Sequence, residues 1–582
     1  MVSAQWQEII MDTLSNQLAS RARTASLFFS FLLLAACGGG GTESSSSAAE
    51  VTVADETSIL PIVASDANFK STHFSGSGNC ASCHNTLTDA AGSDVSIEAD
   101  WSTSMMANAT RDPFWRAKVA SEIRRNPALK PALDEKCSRC HAPMANVEAA
   151  YDGAPVELFG TGFLNPQNAY YNHTMDGVSC TACHQIEDDG KLGTLEGFSG
   201  KFSLVDLSAS ERTAFGQYAD PALNPMLTTT GFLPTYASHM TDSAMCATCH
   251  NLKTPFVDSA GAVVSTTIAS EFPEQMVYTE WENSSFAAGA AVRSCQDCHM
   301  PKTDGVVIST RPMNLTARDK FARHTLVGAN TTMLDILAQN KATLGITTTG
   351  FDTAIIRARD MLTTAADIDV VSEEHADHEL IVQLRINNRS GHKFPTSFPS
   401  RRAYIHFVVR DENGKIVFES GKTNPDGSIV SADADSDLTR YEPHYDEITR
   451  PEQVQIYEAI MQDTDHNVTY TLLRAASFIK DNRIPPPGFD KNSVVDDIKV
   501  IGGAMIDTNF NSGSDLITYR IPLDSDDGVS FTAELKYQAL AYGFMKDLFR
   551  DNQHPEIAMF EGLFNGAKLR AETVASVTHS LL

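Results

Sequence analysis

At 582 residues, 42% hydrophobic and 20% charged, the chain has the composition of a soluble globular protein too long for one core, so two or three domains are expected. Its formal charge of −28 argues against nucleic acid as a partner and against docking on anionic lipid; a solvated, self-repelling surface accounts for it. The 11 cysteines exclude an ordinary disulfide framework, because 10 fall in C-x-x-C pairs and the other, Cys37, belongs to a different signal.

That signal comes first in the chain. Arg21 and Arg23 precede the apolar run from Leu27 to Ala36, which is too short for a bilayer, where about 20 residues are needed. A basic flank, a short apolar stretch and small residues before a cut describe an export signal. Leu34-Ala35-Ala36-Cys37 resembles a bacterial lipobox, whose cysteine becomes the lipid-modified first residue. Residues 1–37 are therefore expected to be a lipoprotein signal ending at lipidated Cys37, and 38–70, with Gly38–Gly41 and Ser44–Ser47, a flexible linker. No second apolar run approaches membrane length. The expectation is an exported body on a lipid anchor in the outer membrane, facing the periplasm or the cell surface.

Residues 71–340 carry five repeats of one pentapeptide: Cys80-Ala-Ser-Cys83-His84, Cys137-Ser-Arg-Cys140-His141, Cys180-Thr-Ala-Cys183-His184, Cys246-Ala-Thr-Cys249-His250 and Cys295-Gln-Asp-Cys298-His299. Two thiols three residues apart can add to the two vinyl groups of one haem, and the adjacent His then reaches the iron as proximal ligand. Zinc sites and redox disulfides also use C-x-x-C. An odd number of pairs suits paired zinc poorly, and neither chemistry needs His after every second cysteine. Five covalent haems c are expected. First cysteines are spaced by 57, 43, 66 and 49 residues, too uneven for a solenoid, so helices and long loops should wrap the cofactors.

Electron-transfer haems usually fill the second axial position with His or Met. His73, His173 and His239 each stand seven residues before the first cysteine of a motif; Lys130 and Ala288 occupy that register at motifs two and five. Such a His is expected to ligate a neighbouring haem. His324 and His392 are the remaining distal candidates. Met105 and Met106 are the alternative, more in keeping with packing than ligation, and Met300 is expected beside a ring. The remaining histidines are read as structural, with His444 the first exception to consider.

Gly177-Val-Ser-Cys180-Thr-Ala-Cys183-His184-Gln185, Ser294-Cys295-Gln-Asp-Cys298-His299-Met300-Pro301 and the following His324 resemble multihaem cytochromes related to cytochrome c-554, relatives of hydroxylamine oxidoreductase. The resemblance spans about residues 70–330. It implies closely stacked haems, mostly with two His ligands, and electron transfer as the default role. Relatives of this kind include enzymes in which one haem keeps an open distal site for nitrogen compounds. The C-x-x-C-Lys variant of pentahaem nitrite reductases is absent from this sequence.

After residue 340 there is no cysteine. Residues 341–369 are expected to form a connecting helix, with Phe351–Ala366 amphipathic. Residues 370–582 then read as a β-sandwich, immunoglobulin-like in layout, with strands at 378–387, 403–410, 415–419, 468–473, 498–505, 516–521 and 530–537. Asp411-Glu-Asn-Gly414 supplies a hairpin turn. Three acidic groups (Asp433, Asp435 and Asp437; Asp463 and Asp465; Asp524, Asp526 and Asp527) are read as solvated loops first and Ca2+ ligands second. Gly391-His392-Lys393-Phe394-Pro395 and Lys480-Asp-Asn-Arg483 resemble C-terminal domains fused to multihaem cytochromes, which would set His392 against a haem.

The fold class expected is thus a helical and irregular multihaem region followed by a β-sandwich. The function expected is electron transfer with redox partner proteins, other cytochromes or a terminal reductase or oxidase. The alternative is an oxidoreductase with one five-coordinate haem acting on a small nitrogen or sulfur compound.

Overall fold

The structure, a computed structural model, describes residues 59, 61–205, 212–525 and 527–581. The export signal with Cys37, most of the 38–70 linker, and Asp526 lie outside the described residues. No helix among the described residues is long and apolar enough to cross a membrane.

Up to residue 340 the chain forms short helices between long irregular segments. The longest, Pro113–Arg125, starts where the Asp112 carboxylate accepts from Phe114 N (2.8 Å) and Trp115 N (3.2 Å), has Pro113 in its first turn, and ends on Arg124 and Arg125 beside the negative end of its dipole. Each pentapeptide motif lies on or at the end of a helix: Ser77–His84, Lys130–His141, Cys180–Cys183, Ser243–His250 and Cys295–His299. Strands here pair only in twos, as in Asn251–Thr254 with Phe272–Met276.

The connecting helix, Phe351–Ala365, leads directly into a strand, Ala366–Ala376. Two sheets follow. One has the order Ser477–Asp481, Ile456–Gln462, Arg402–Asp411, Val529–Gln538, Glu572–Leu581, with Ile416–Ser420 also on Arg402–Asp411. The other runs Glu447–Ile448, Ser514–Pro522, Glu379–Asn388, Ala366–Ala376. Pairing is antiparallel except at Glu447–Ile448, and neither sheet closes into a barrel. Leu380, Val382, Leu384 and Ile386 alternate inward from one sheet, and Ile405, Phe407 and Val409 from the other. The Phe407 and Tyr519 rings stack at 4.0 Å between them.

Two expected strands take other forms. Residues 468–473 end in a 3-10 turn, Leu472–Arg474, because Leu472 N and Leu473 N donate to the Glu122 carboxylate (2.7 and 3.3 Å) instead of to a ladder. In 498–505, Gly502 adopts φ +84° and the chain breaks into the turns Asp496–Ile498 and Gly503–Ile506. Two helices, Tyr542–Leu548 and Pro555–Gly566, interrupt the region that the sequence reads as strands alone. The second of them packs on Pro113–Arg125, where Arg116 grips Glu556 through two buried hydrogen bonds of 3.0 and 3.1 Å. The described residues thereby form one compact unit.

Candidate functional site

In each motif the two cysteines sit three residues apart on a helical turn, which puts both sulfurs on one face, and the His follows at the end of that turn. Such short helices are costly to nucleate, and side chains cap two of them. Asp242 accepts from Ala244 N (2.8 Å) ahead of motif four. Ser294 and Asp297 form a reciprocal capping box at motif five.

All ten motif cysteines and all five motif histidines line a single cavity of about 1190 Å³. Pockets for one small ligand commonly measure about 300–1,000 Å³. None of the ten cysteines is in a disulfide. Neighbouring motifs touch: Cys80 is within hydrogen-bond reach of Cys180, Cys140 of Cys249, and Cys295 of Cys246. Yet among the described residues no three cysteines or histidines of the motifs converge as a metal cage would require, which disfavours zinc.

Four proximal histidines are aimed by the backbone. The Nδ1 of His84 bonds Ile308 O (2.7 Å), that of His141 Ala109 O (3.2 Å), that of His184 Phe215 O (2.5 Å) and that of His299 Val327 O (2.6 Å). Donating from Nδ1 leaves the Nε2 lone pair for iron. Burial pushes the pKa of His84 and His184 down, and those of His141 and His250 down to about 4. Neutral imidazole is the ligating form. The Trp115 ring stacks on His141 at 4.6 Å.

Two distal candidates face proximal histidines. The His324 ring lies 6.2 Å from that of His184, centroid to centroid, and the His392 ring 6.4 Å from that of His299. A metal–imidazole bond of about 2.0 Å on each side plus the ring radii separates two axial rings by about 6 Å. The residues therefore fit haem. His84, His141 and His250 have no imidazole at that separation among the described residues.

His73, His173 and His239 sit behind the cavity wall rather than on it. His73 and His173 are brought together by buried Glu148, which bonds His73 Nδ1 (2.5 Å) and lies 4.0 Å from His173 Nε2. His73 Nε2 and both nitrogens of His173 are buried without a hydrogen-bond partner. His239 Nε2 instead bonds Ile186 O (2.9 Å), with its ring against Phe215. Met105, Met106 and Met300 line the cavity. Sequence reasoning missed Glu148, Trp115 and Glu280, since nothing along the chain marks a residue that acts through a partner distant in sequence.

The acidic loops are taken up by their own surroundings. Asp435 pairs with buried Arg402 and Asp433 with Arg440, each at 2.8 Å; Asp437 holds Thr439; Asp463 accepts from Asp465 N and Asn467 N. Among the described residues one trio gathers metal-type side chains, His444, Asp507 and Asp515. His444 Nδ1 receives the amide NH2 groups of Gln455 (3.0 Å) and Asn482 (3.2 Å). Those amides are oriented by Tyr445 N and Glu458 N on their oxygens. The imidazole proton is thus held on Nε2, toward Asp507, where a metal would need the lone pair.

Residues 79–185 match the family model described as Cytochrome c554 and c-prime, a segment holding the first three motifs. Among curated proteins none matches. A crystal structure of a penta-heme cytochrome c552 from Thermochromatium tepidum is similar at 15% identity and a TM-score of 0.49, covering 88% of this chain and 100% of that one. Motifs, their shared cavity and the match across three of them make the chain a multihaem c-type cytochrome, resembling the cytochrome c554 family and continued by a domain rich in antiparallel sheet.

Proposed function

We propose that the chain holds five haems through its ten motif cysteines and relays electrons among them outside the cytoplasm, in a respiratory or extracellular electron-transfer chain. The observation that carries this is the single cavity walled by all five motifs, with motif one against three, two against four and four against five. Bound haem supplies a reversible one-electron couple whose potential follows axial ligand, burial and hydrogen bonding. The protein's part is positional: backbone carbonyls fix four proximal imidazoles, His324 and His392 face two of them, and burial keeps them neutral. Glu148 holds His73 with Nε2 unpartnered, as a carboxylate does for a metal-bound His. His73, His173 and His239 complete the proposed distal set. The lipid anchor at Cys37, the outer-membrane location and redox partner proteins belong to the same proposal; calcium does not.

A second reading has its own support. His84, His141 and His250 line the cavity with no imidazole opposite them among the described residues, which suits an oxidoreductase in which one iron takes a small nitrogen or sulfur compound. Electron paramagnetic resonance of the oxidised full chain separates the two. The relay expects low-spin haem only, and His324→Ala and His392→Ala each turning one haem high-spin with five still attached. A wild-type high-spin signal that shifts with added nitrite or hydroxylamine would overturn the pure relay.

A further inference from the structure

His392 belongs to the β-rich domain, whereas His299, which it faces, belongs to the motif region, so something must hold the two parts in register. The 390–396 loop has no regular structure of its own. It is held at its base by Asn388, whose amide donates to His392 O (2.7 Å) and Ile484 O (2.9 Å). Within the loop, His392 Nδ1 donates to Lys393 O (3.0 Å), leaving Nε2 for the cavity. Gly391 passes so close to the motif region that a Cβ there would lie 3.0 Å from Trp281 Cδ1.

Among the described residues, the charged group that reaches this loop from the motif region is Glu280, in the Val277–Glu282 helix, 0% exposed. Its Oε2 accepts from Lys393 N (3.1 Å) and from the Thr396 hydroxyl (2.5 Å), the residues on either side of Phe394-Pro395. Its Oε1 lies 3.1 Å from Arg483 Nη1, an ion pair off the best hydrogen-bond angle. Arg483 in turn grips Asp481 (2.7 and 2.9 Å), and Asp481 takes the Lys393 ammonium (2.7 Å). Two buried cations and two buried anions thus form a closed, neutral ring through both parts of the molecule. A buried carboxylate is expensive unless paired and hydrogen-bonded, and this one spends its oxygens on the His392 loop.

We propose that Glu280 is the positioning residue for His392, a tether that sets the β-domain imidazole opposite His299 and so makes the domain part of the haem site. This rests on His392 being the distal ligand. The role requires Glu280 to act on one haem of five, not on folding in general.

The experiment uses the full haem-loaded chain and three variants. In Glu280→Leu the loop loses its acceptor, and Arg483 and Lys393 are left to share Asp481 with one positive charge uncompensated. In the double variant Glu280→Leu/Arg483→Met the remaining Lys393–Asp481 pair is neutral, so stability is restored while position 280 offers the loop no acceptor. His392→Ala reports the ligand itself. Both Glu280 variants should show five attached haems, a high-spin signal from about one iron in five, and return to low spin on adding free imidazole. The double variant should melt at nearly the wild-type temperature yet keep the high-spin signal, which a purely structural role for Glu280 would not produce. Wild-type spectra from the double variant beside a high-spin His392→Ala would overturn the tether. Wild-type spectra from His392→Ala as well would overturn the ligand assignment beneath it.

Discussion

The Glu379–Asn388 strand turns every second side chain, from Leu380 to Ile386, into a core, while Ile381 and Gln383 between them stay half-buried and Arg385 exposed. The Ser77–His84 helix buries only Ser77 of its eight residues, and the Cys295–His299 helix only Gln296. One region is closed by its own apolar side chains; in the other, apolar side chains such as Trp115, Phe159 and Phe163 pack behind a shell of motif helices that face a cavity. A fully buried Leu or Phe contributes about 1.5–3 kcal/mol, and the strands collect many such terms while the motif helices collect almost none. Their missing apolar surface is that of the haems.

The largest expected effect follows directly. Full-length chain with the ten motif cysteines replaced by alanine should exchange its backbone amides rapidly across 61–340, while the strands from 379 to 538 keep their protection. The Pro555–Gly566 helix should loosen with the first region, because it packs on Pro113–Arg125. Equal protection in both regions would show that the shell has a core of its own.

Next in size is a cut into the other kind of core. Phe407→Ala removes a fully buried ring that stacks on Tyr519, and should cost about 3–5 kcal/mol in urea unfolding. The haem spectra should stay as in the wild type, since Phe407 is not on the cavity wall. A change in spin state would mean that strain passes from the sandwich to the haem site.

How much of this could be read along the chain differs in the same way. The motifs are local, because thioether chemistry fixes five consecutive residues, and they were legible at once. So were strands that alternate or carry β-branched runs: residues 378–387, 403–410 and 516–521 were placed within about two residues of their ends. Ala366–Ala376 was not, because an edge strand of Asp, Glu and Ser shows little apolar pattern. Facing across the cavity is not local. The seven-residue register of His73, His173 and His239 describes the segment leading into a motif, whereas the fold decides which ring stands opposite which iron site. It sets His324 and His392 opposite His184 and His299, and those two share no spacing. Residues 468–473 show the same limit, since their amides were claimed by Glu122, some 350 positions away.

The smallest expected effect is a pH dependence that differs between the regions. Asp515, buried among the sheets, takes the Tyr457 hydroxyl (2.8 Å) and the Gln455 amide (3.2 Å) on Oδ2, while Oδ1 has no hydrogen-bond partner and lies 4.0 Å from His444 Nε2. Burial, then Asp507 and Asp446, pushes its pKa up to about 7. In the motif region, burial pushes Asp112 up to about 6, against the pull of two backbone amides. Both values exceed the unfolded value of about 3.9, so the folded state binds the proton more tightly. Stability from each group is complete below about pH 4 and is lost as pH rises through the folded value, to about pH 6 for Asp112 and about pH 7 for Asp515. Lys491, facing Asp507 and Asp515, moderates the second loss. Asp515→Asn mimics the protonated acid. Between pH 5 and 8 the wild type should therefore lose about 2 kcal/mol more than this variant, measured as urea midpoints. The difference should appear in amide exchange of Ser514–Pro522 and its neighbours, and not in Pro113–Arg125. Parallel curves for the two proteins would mean that Asp515 stays ionised, with its charge met by His444 and Lys491.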